Sequence, residues 1–419
     1  MDQARALAGE GRRAFRQTRL ASLDKRNQAL LILADMFDRV DVRAEIINEN
    51  SIDLKNGQEQ GLTPALLDRL KLNEVRIESM STALREIAAM NDPVGEVISG
   101  SRLSNGVQMV KRRVPLGVVF TVYESRPNVT IDVGALCLKS GNAAILRGGR
   151  EALHSNRVLH RFFVSALVQA GLPEHSIQLV QETDRAYMLA LLQQDRTIDL
   201  VVPRGGEALI QFVAGNSRIP VVKHDKGVCN LFIDADADPD MAAEIAINAK
   251  LQRPSVCNAI ENILIHADFK SGSELLRRLH AAGAVLSGCE RSHALSSNVK
   301  KLVDTDLEAA YAAEFLDERL AVRVVDSLEE ALDFIDRYGS GHSEAIVSRN
   351  INSIHAFQAG VDCAAVFVNC STRFHDGGQM GMGAEVGIST GRLHVRGPMG
   401  IRDLTTTCYT MEGDGQIRS

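Results

Sequence analysis

Tryptophan is missing from the sequence altogether, and phenylalanine and tyrosine bring the aromatic share to only 4%. That removes the stacking platforms on which single-stranded nucleic acids lie. No charge of one sign dominates either. The formal net charge is −6 with both signs interspersed, so the basic footprint of a nucleic-acid binder is lacking. No apolar run approaches the length that crosses a bilayer, and the opening Met1-Asp-Gln-Ala-Arg carries charge where a signal peptide is apolar. Seven cysteines, an odd number, are scattered without C-x-x-C pairing. This argues against a disulfide framework and a zinc cage, and for a reducing compartment. G-x-S-x-G elbows, Walker loops and H-E-x-x-H helices are absent too. What remains is ordinary globular composition, 45% hydrophobic and 24% charged, over 419 residues. That length holds two or three domains, each with its own core. The expectation is a cytoplasmic α/β protein without a metal site.

Residues 1–92 read as helices. Ser22 or Asp24 can cap a segment through Val40, Thr63-Pro64 starts another, and Asn73 can cap a third that ends before Asn91-Asp-Pro93. From Gly95 the hydrophobic period changes to two. Glu96–Ser99 and Val107–Val114 flank a polar link, as in a hairpin. The apolar run Val118–Tyr123 suits a buried parallel strand. Strands at 143–146, 177–180, 198–202 and 220–223 then alternate with helical segments, one of them capped near Ser155. That alternation implies a parallel, doubly wound sheet. After the apolar run 230–234 a third region starts, with strands near 260–265, 321–325, 344–348 and 365–369. The tail is Gly-rich from Gly377 to Gly391 and closes on the β pattern 404–410. A terminal strand needs a sheet to join. The hairpin or a partner subunit could supply it.

The stretch Lys250-Leu-Gln-Arg-Pro-Ser-Val-Cys257-Asn carries the chemistry if any stretch does. Pro254 ends a helical pattern, so Cys257 falls on a short connector before the next strand. A side chain there can be aimed at a cleft. A free cysteine can equally be a small buried hydrophobe, and local sequence leaves both readings open. Arg147-Gly148-Gly149-Arg150 and Pro203-Arg-Gly205-Gly206 each follow a buried strand and precede a helix. Free N–H groups and the helix dipole favour phosphate at such loops; the plainer reading is a turn with a solvated arginine. Gly381–Gly387 evokes a dinucleotide fingerprint but lacks the strand–helix setting, so it is set aside. His342 and His375, in Gly-rich loops, are either acids and ligands or merely solvated.

Arg253-Pro-Ser-Val-Cys-Asn, Gly339-Ser-Gly-His-Ser-Glu, Ser371-Thr-Arg-Phe-His-Asp-Gly-Gly, Gly383-Ala-Glu-Val-Gly-Ile-Ser-Thr390 and Arg396-Gly-Pro-Met-Gly400 resemble the γ-glutamyl phosphate reductases. That family belongs to the aldehyde dehydrogenase superfamily. The likeness runs from about Leu20 to Thr410, with Phe334, His375 and Cys408 as local departures. It implies an aldehyde-dehydrogenase-like α/β fold: two doubly wound parallel-sheet domains plus a small β oligomerisation flap. Residues 1–95 and 115–235 would bind NADPH and 236–375 would carry Cys257. The flap would be 96–114 with 400–412, and 376–399 would return to the cleft.

The resemblance also implies a reaction, in which L-glutamyl 5-phosphate and NADPH give L-glutamate 5-semialdehyde, NADP⁺ and phosphate. Cys257 would be the nucleophile, with its own N–H and the Asn128 side chain as oxyanion donors. Arg147 and Arg150 stand where NAD-preferring relatives carry lysine and glutamate, which suits a 2′-phosphate. Glu314 would hold the nicotinamide ribose, although Leu316 stands where a phenylalanine is expected. Hydrolytic relatives place a water-activating glutamate near Lys223-His-Asp225, and none is found there. Arg126, Arg373 and the Gly377–Gly378 amides are candidates for the substrate anions, against a reading of either arginine as a surface ion pair. A homo-oligomer and a transient contact with glutamate kinase are the expected partners. A hydrolytic aldehyde dehydrogenase and a catalytically idle scaffold are the competing readings.

Overall fold

A computed structural model of the chain describes residues 2–222, 226–382 and 384–418. It divides into two units. The first is Met1–Lys223 with Gly381–Gly387 and Met399–Ser419; the second is His224–Met380 with Ile388–Pro398.

In the first unit, capping chemistry starts the helices where the sequence sets it. Ser22 accepts from Lys25 N before the helix Leu23–Asp38, Thr63 from Leu66 N before Pro64–Leu70, and Asn73 from Arg76 N before Glu74–Ala89. Ser155 is different. The helix Leu153–Gln169 has no side-chain cap; the buried Ser155 hydroxyl donates to Asp53, whose carboxylate also takes the Ser155 and His154 amides. A tertiary carboxylate thus replaces the expected local cap.

Strands β1 (Val97–Arg102) and β2 (Gln108–Pro115) form the antiparallel hairpin. The terminal strand Thr405–Glu412 pairs antiparallel with the whole of β2, so it finds its sheet within its own chain. Strands β3 (Val118–Tyr123), β4 (Ala143–Arg147), β5 (Ile177–Leu179) and β6 (Leu200–Arg204) are parallel, in the order β5-β4-β3-β6. Val118, Phe120 and Val122 pack on one face with Ala4, Ala8 and Phe15 of the helix Asp2–Thr18. Of the strand expected over 220–223, the described residues show one bridge, between Val221 and Val201, and Lys223 lies outside them. From β3 the chain goes one way to β4 and β5 and the other way to β6. The carboxyl end of β3 is therefore the switch point, where open α/β sheets hold ligands.

The second unit is built on β7 (Cys229–Ile233), β8 (Ile260–His266), β9 (Val285–Gly288), β10 (Lys300–Lys301), β11 (Arg319–Val325), β12 (Ser343–Val347) and β13 (Ala365–Val368). All pair in parallel, in the order β10-β9-β11-β8-β7-β12-β13. Leu231 and Ile233 pack on one face with Ala242, Ala246 and Leu276, while Phe232 packs on the other with Tyr311, Ile335 and Phe357. The sheet is thus covered on both sides, which explains strands that read as continuous apolar runs. This corrects the expected division at 235/236: β7 is a central strand of the second sheet and not the last of the first.

Candidate active site

In the second unit the helix Pro239–Leu251 ends just before Pro254, β8 starts at Ile260, and the half-buried Cys257 lies between. The connector is tied at its base, its middle and its outer side. At the base, Lys250 in the last helical turn pairs with Glu261, the second residue of β8, at 2.5 Å with both side chains fully buried. Burial lowers Lys250 and raises Glu261, each against the attraction of its partner.

At the middle, the thiol of Cys229 on β7 donates to the Cys257 carbonyl oxygen at 3.1 Å. Burial pushes Cys229 well above the ordinary thiol range, and the charges of Glu344 and Cys257 add to this, so it remains an S–H donor. Behind it, Cys229 Sγ lies 3.6 Å from His342 Nδ1. His342 Nδ1 is 2.8 Å from Ser343 Oγ, which is 2.7 Å from His375 Nδ1. Both histidines are fully buried, with ring centroids 4.7 Å apart. Neither is the solvated loop residue that its Gly-rich surroundings suggest. Burial, opposed by Asp376, takes His375 down to about 4 and keeps it neutral.

On the outer side, the short 3₁₀ turn Thr372–Phe374 grips Asn258. Thr372 Oγ1 donates to Asn258 O at 2.6 Å, Asn258 Nδ2 donates to His375 O at 3.0 Å, and Arg373 bonds Asn258 Oδ1 and Gln252 Oε1. Burial lowers Arg373, as does the charge of Arg253, while attraction to Asp376 and Cys257 opposes both. Arg373 is therefore a cation within electrostatic reach of the Cys257 sulfur. Gly378 is not an available donor in this state: its N–H goes to Asp376 Oδ1 at 3.0 Å.

Gly227 completes this side. A Cβ on it would lie 2.4 Å from Cys257 O, 2.6 Å from Cys257 Cα and 2.6 Å from Glu314 Oε1. Only glycine lets these three segments converge, and Glu314 is thereby placed beside the Cys257 connector. Sequence reasoning passed over Gly227 and Cys229, because nothing local marks them. Leu316 has φ +58° and is 42% exposed, while Phe315 beside it lies 4.9 Å from the Arg319 guanidinium. The segment Lys223-His-Asp225 lies outside the described residues.

In the first unit, the switch point is a turn with one left-handed residue. Ser125 has φ +45° and is held by Glu151, whose Oε1 accepts from Ser125 N at 2.6 Å and from Ser125 Oγ at 2.8 Å. The turn leads through the half-buried Arg126 to Asn128, the first residue of the helix Asn128–Lys139. Asn128 Nδ2 donates to Asp132 Oδ2 at 2.8 Å.

Both loops expected to cradle phosphate contain a carboxylate of the chain itself. Gly206 N donates to Glu124 Oε2 at 3.0 Å, and a Cβ on Gly149 would lie 2.1 Å from Glu151 Oε1. A side chain at 149 would therefore displace the Glu151 carboxylate that holds Ser125. Cations gather alongside. Arg147 Nη2 donates to Thr183 O at 2.9 Å, whereas its buried Nε has no hydrogen-bond partner among the described residues. Burial lowers Arg147, and repulsion from Arg185 adds to this. Arg150 is exposed. Arg185 is a further candidate that sequence reasoning missed, since it lies thirty-eight residues beyond Arg147.

Among the described residues no His/Cys/Asp/Glu group could hold a metal ion, and no helix is long and apolar enough to cross a membrane. The model of the aldehyde dehydrogenase family matches residues 2–287. A γ-glutamyl phosphate reductase of Leptospira interrogans is 54% identical over 412 residues, 98% of this chain and 98% of its own. One of Moorella thermoacetica is 49% identical, with both chains covered in full. The crystal structure of γ-glutamyl phosphate reductase from Thermotoga maritima is 39% identical, with a TM-score of 0.94 over 99% of this chain and 100% of that one. The chain belongs to the aldehyde dehydrogenase family and, within it, to the γ-glutamyl phosphate reductases.

Proposed function

We propose that the chain reduces L-glutamyl 5-phosphate to L-glutamate 5-semialdehyde and phosphate with NADPH, the second step of proline biosynthesis. The observation that carries the reading is 54% identity to a named reductase over 98% of both chains, in a chain whose Cys257 connector is tied down by Cys229 and Thr372. The Cys257 thiolate attacks the acyl carbon, the carbon–oxygen bond to phosphate breaks, and phosphate leaves behind a thioester. The chemistry that NADPH would supply, when bound, is a hydride for the acyl carbon. The sulfur then departs as the carbonyl of the aldehyde re-forms. Negative charge develops on the substrate oxygen at both addition stages, and the Cys257 N–H and Asn128 Nδ2 are the donors for it. Arg373 and the Cys257 sulfur attract one another electrostatically. With Arg126 and the Gly377 amide, Arg373 is also a candidate for the substrate's phosphate and carboxylate.

The cofactor fits the donor set of the first unit. Arg147, Arg150 and Arg185 would hold a 2′-phosphate, for which the unpartnered Arg147 Nε is an unfilled donor. The Gly205–Gly206 loop would take the pyrophosphate in competition with Glu124. Glu314, beside the Cys257 connector, would bind the nicotinamide ribose. The sheet of β1, β2 and Thr405–Glu412 carries exposed Val97, Ile98, Tyr409 and Met411, which supports a contact between copies of the chain. A transient contact with glutamate kinase would shield a labile acyl phosphate in transit.

One assay separates the readings: glutamate semialdehyde and NADP⁺, with and without phosphate. The reductase forms NADPH only with phosphate present. Turnover without phosphate would mean hydrolysis, and no turnover by folded protein an idle scaffold. Cys257→Ser should abolish turnover and leave NADPH binding nearly unchanged; appreciable residual activity would overturn the thioester route.

A further inference from the structure

Asn128 opens its helix and Asp132 follows one turn later, with Asn128 Nδ2 donating to Asp132 Oδ2 at 2.8 Å. A carboxylate only accepts hydrogen bonds, so it selects which end of the carboxamide faces it. The NH₂ is turned to Asp132 and the amide oxygen away. One Nδ2 hydrogen is committed, and the second remains for another acceptor. A carboxamide without such a partner rotates between two faces, one of which presents an oxygen.

The surroundings of Asp132 keep it an acceptor. Arg204, the last residue of β6, is the cation whose field favours the Asp132 carboxylate. Arg204 lies 3.6 Å from Glu385 of the returning segment Gly381–Gly387. That segment is itself tied down, with Val386 N donating to Met399 O and Met399 N to Gly387 O. Glu385, Arg204, Asp132 and Asn128 therefore form one row of alternating polar groups ending at the switch point.

We infer that Asp132 is a positioning residue for the reaction: its carboxylate holds the Asn128 carboxamide with the NH₂ presented, leaving one N–H for the developing oxyanion. The inference rests on the proposed donor role of Asn128. Burial opposes Arg204 and the Asn128 bond and pushes Asp132 up to about 6. As pH falls through that value Asp132 gains a proton and becomes a donor. It can then bond the amide oxygen of Asn128 instead, and the carboxamide turns over. The acid limb of kcat belongs to this proton.

The test is steady-state kinetics in the phosphate-dependent assay, with pH profiles, for the Asn128→Ala, Asp132→Ala, Asp132→Asn and doubly alanine-substituted proteins. Asp132→Ala is expected to lower kcat about 10- to 100-fold, the scale of a misplaced catalytic group, with KM within about 2-fold. The double variant should be no slower than Asn128→Ala alone, because the two act as one unit. Asp132→Asn still offers an acceptor and should keep intermediate activity without the acid limb near pH 6. It also covers the case in which the alanine variant fails to fold. A fully active Asp132→Ala beside a crippled Asn128→Ala would overturn the positioning role alone. So would losses that multiply in the double variant, or an acid limb that survives Asp132→Asn. A fully active Asn128→Ala would remove the donor role itself and this inference with it.

Discussion

Replacing Glu261 by glutamine asks whether the Cys257 connector is held from its base. Lys250 and Glu261 are both fully buried and 2.5 Å apart. Glu261 Oε1 also accepts from Leu316 N at 3.3 Å. Burial raises Glu261 and lowers Lys250 although each attracts the other. A raised carboxyl holds its proton longer when folded, so its contribution is lost as pH rises from the ordinary carboxylate range. A lowered lysine sheds its proton more readily when folded, so its contribution is lost as pH falls from the ordinary amine range. Both signs say that desolvation exceeds the attraction. Glu261→Gln leaves an uncompensated buried ammonium and should cost about 3–5 kcal/mol. The apolar double replacement Lys250→Met/Glu261→Leu should be neutral or stabilise by about 1–4 kcal/mol. With no tryptophan in the chain, urea unfolding followed by circular dichroism is the natural measurement. The single variant should lower the midpoint by about 1 M or more. A double variant as unstable as the single one would refute the reasoning and make the pair a net source of stability. The double variant should nonetheless lose kcat, since the bond to the turn after Glu314 goes with the carboxylate.

Gly227→Ala brings a methyl within 2.4 Å of Cys257 O and 2.6 Å of Glu314 Oε1, so kcat should fall about 100-fold in a folded protein. Unchanged kcat would show that the convergence is unimportant. Arg147→Ala and Arg185→Ala should each weaken NADPH binding about 10-fold and leave NADH binding unchanged, read by cofactor fluorescence titration. Equal losses for both cofactors would remove the 2′-phosphate assignment. His375 is lowered from 6.5 to about 4 by burial, so it binds a proton more readily when unfolded. Its contribution to stability is complete above about pH 6.5 and is lost as pH falls through about 4. His375→Gln should shrink that acid-side loss in denaturation measured from about pH 4 to 7; an unchanged slope would show that another group carries it.

Much of the architecture was legible because it rests on local chemistry. Ser22, Thr63 and Asn73 announce their helices, Pro254 ends the helix before Cys257, and alternating strand and helix patterns give parallel sheets. The terminal β pattern demanded a sheet, and β2 supplies it. What was hidden depends on groups far apart in sequence. The Ser155 hydroxyl serves Asp53, Glu124 takes the Gly206 amide, and Cys229 reaches the Cys257 carbonyl. His342 and His375 lie in Gly-rich segments that read as surface loops, yet both fold under the connector and lose all exposure. β7 reads as the end of the first domain because apolar runs look alike in either sheet. Partner strands, not composition, decide its place.

The pairing of β2 with Thr405–Glu412 also sets an order of events during synthesis. About 290 residues separate the paired positions, so at about 5–20 residues per second the ribosome delivers the last strand about 15–60 s after β2 emerges. Until then the hairpin of β1 and β2 stands alone, and a two-stranded hairpin is at best marginally stable in water. β2 meanwhile offers a full-length open edge to any other nascent strand, the geometry that invites aggregation. The second unit, drawn almost wholly from one continuous stretch, can complete its sheet in the interval. Vectorial synthesis thus leaves the first unit unfinished longest, and the emergence of Thr405–Glu412 is the moment at which that vulnerable edge closes.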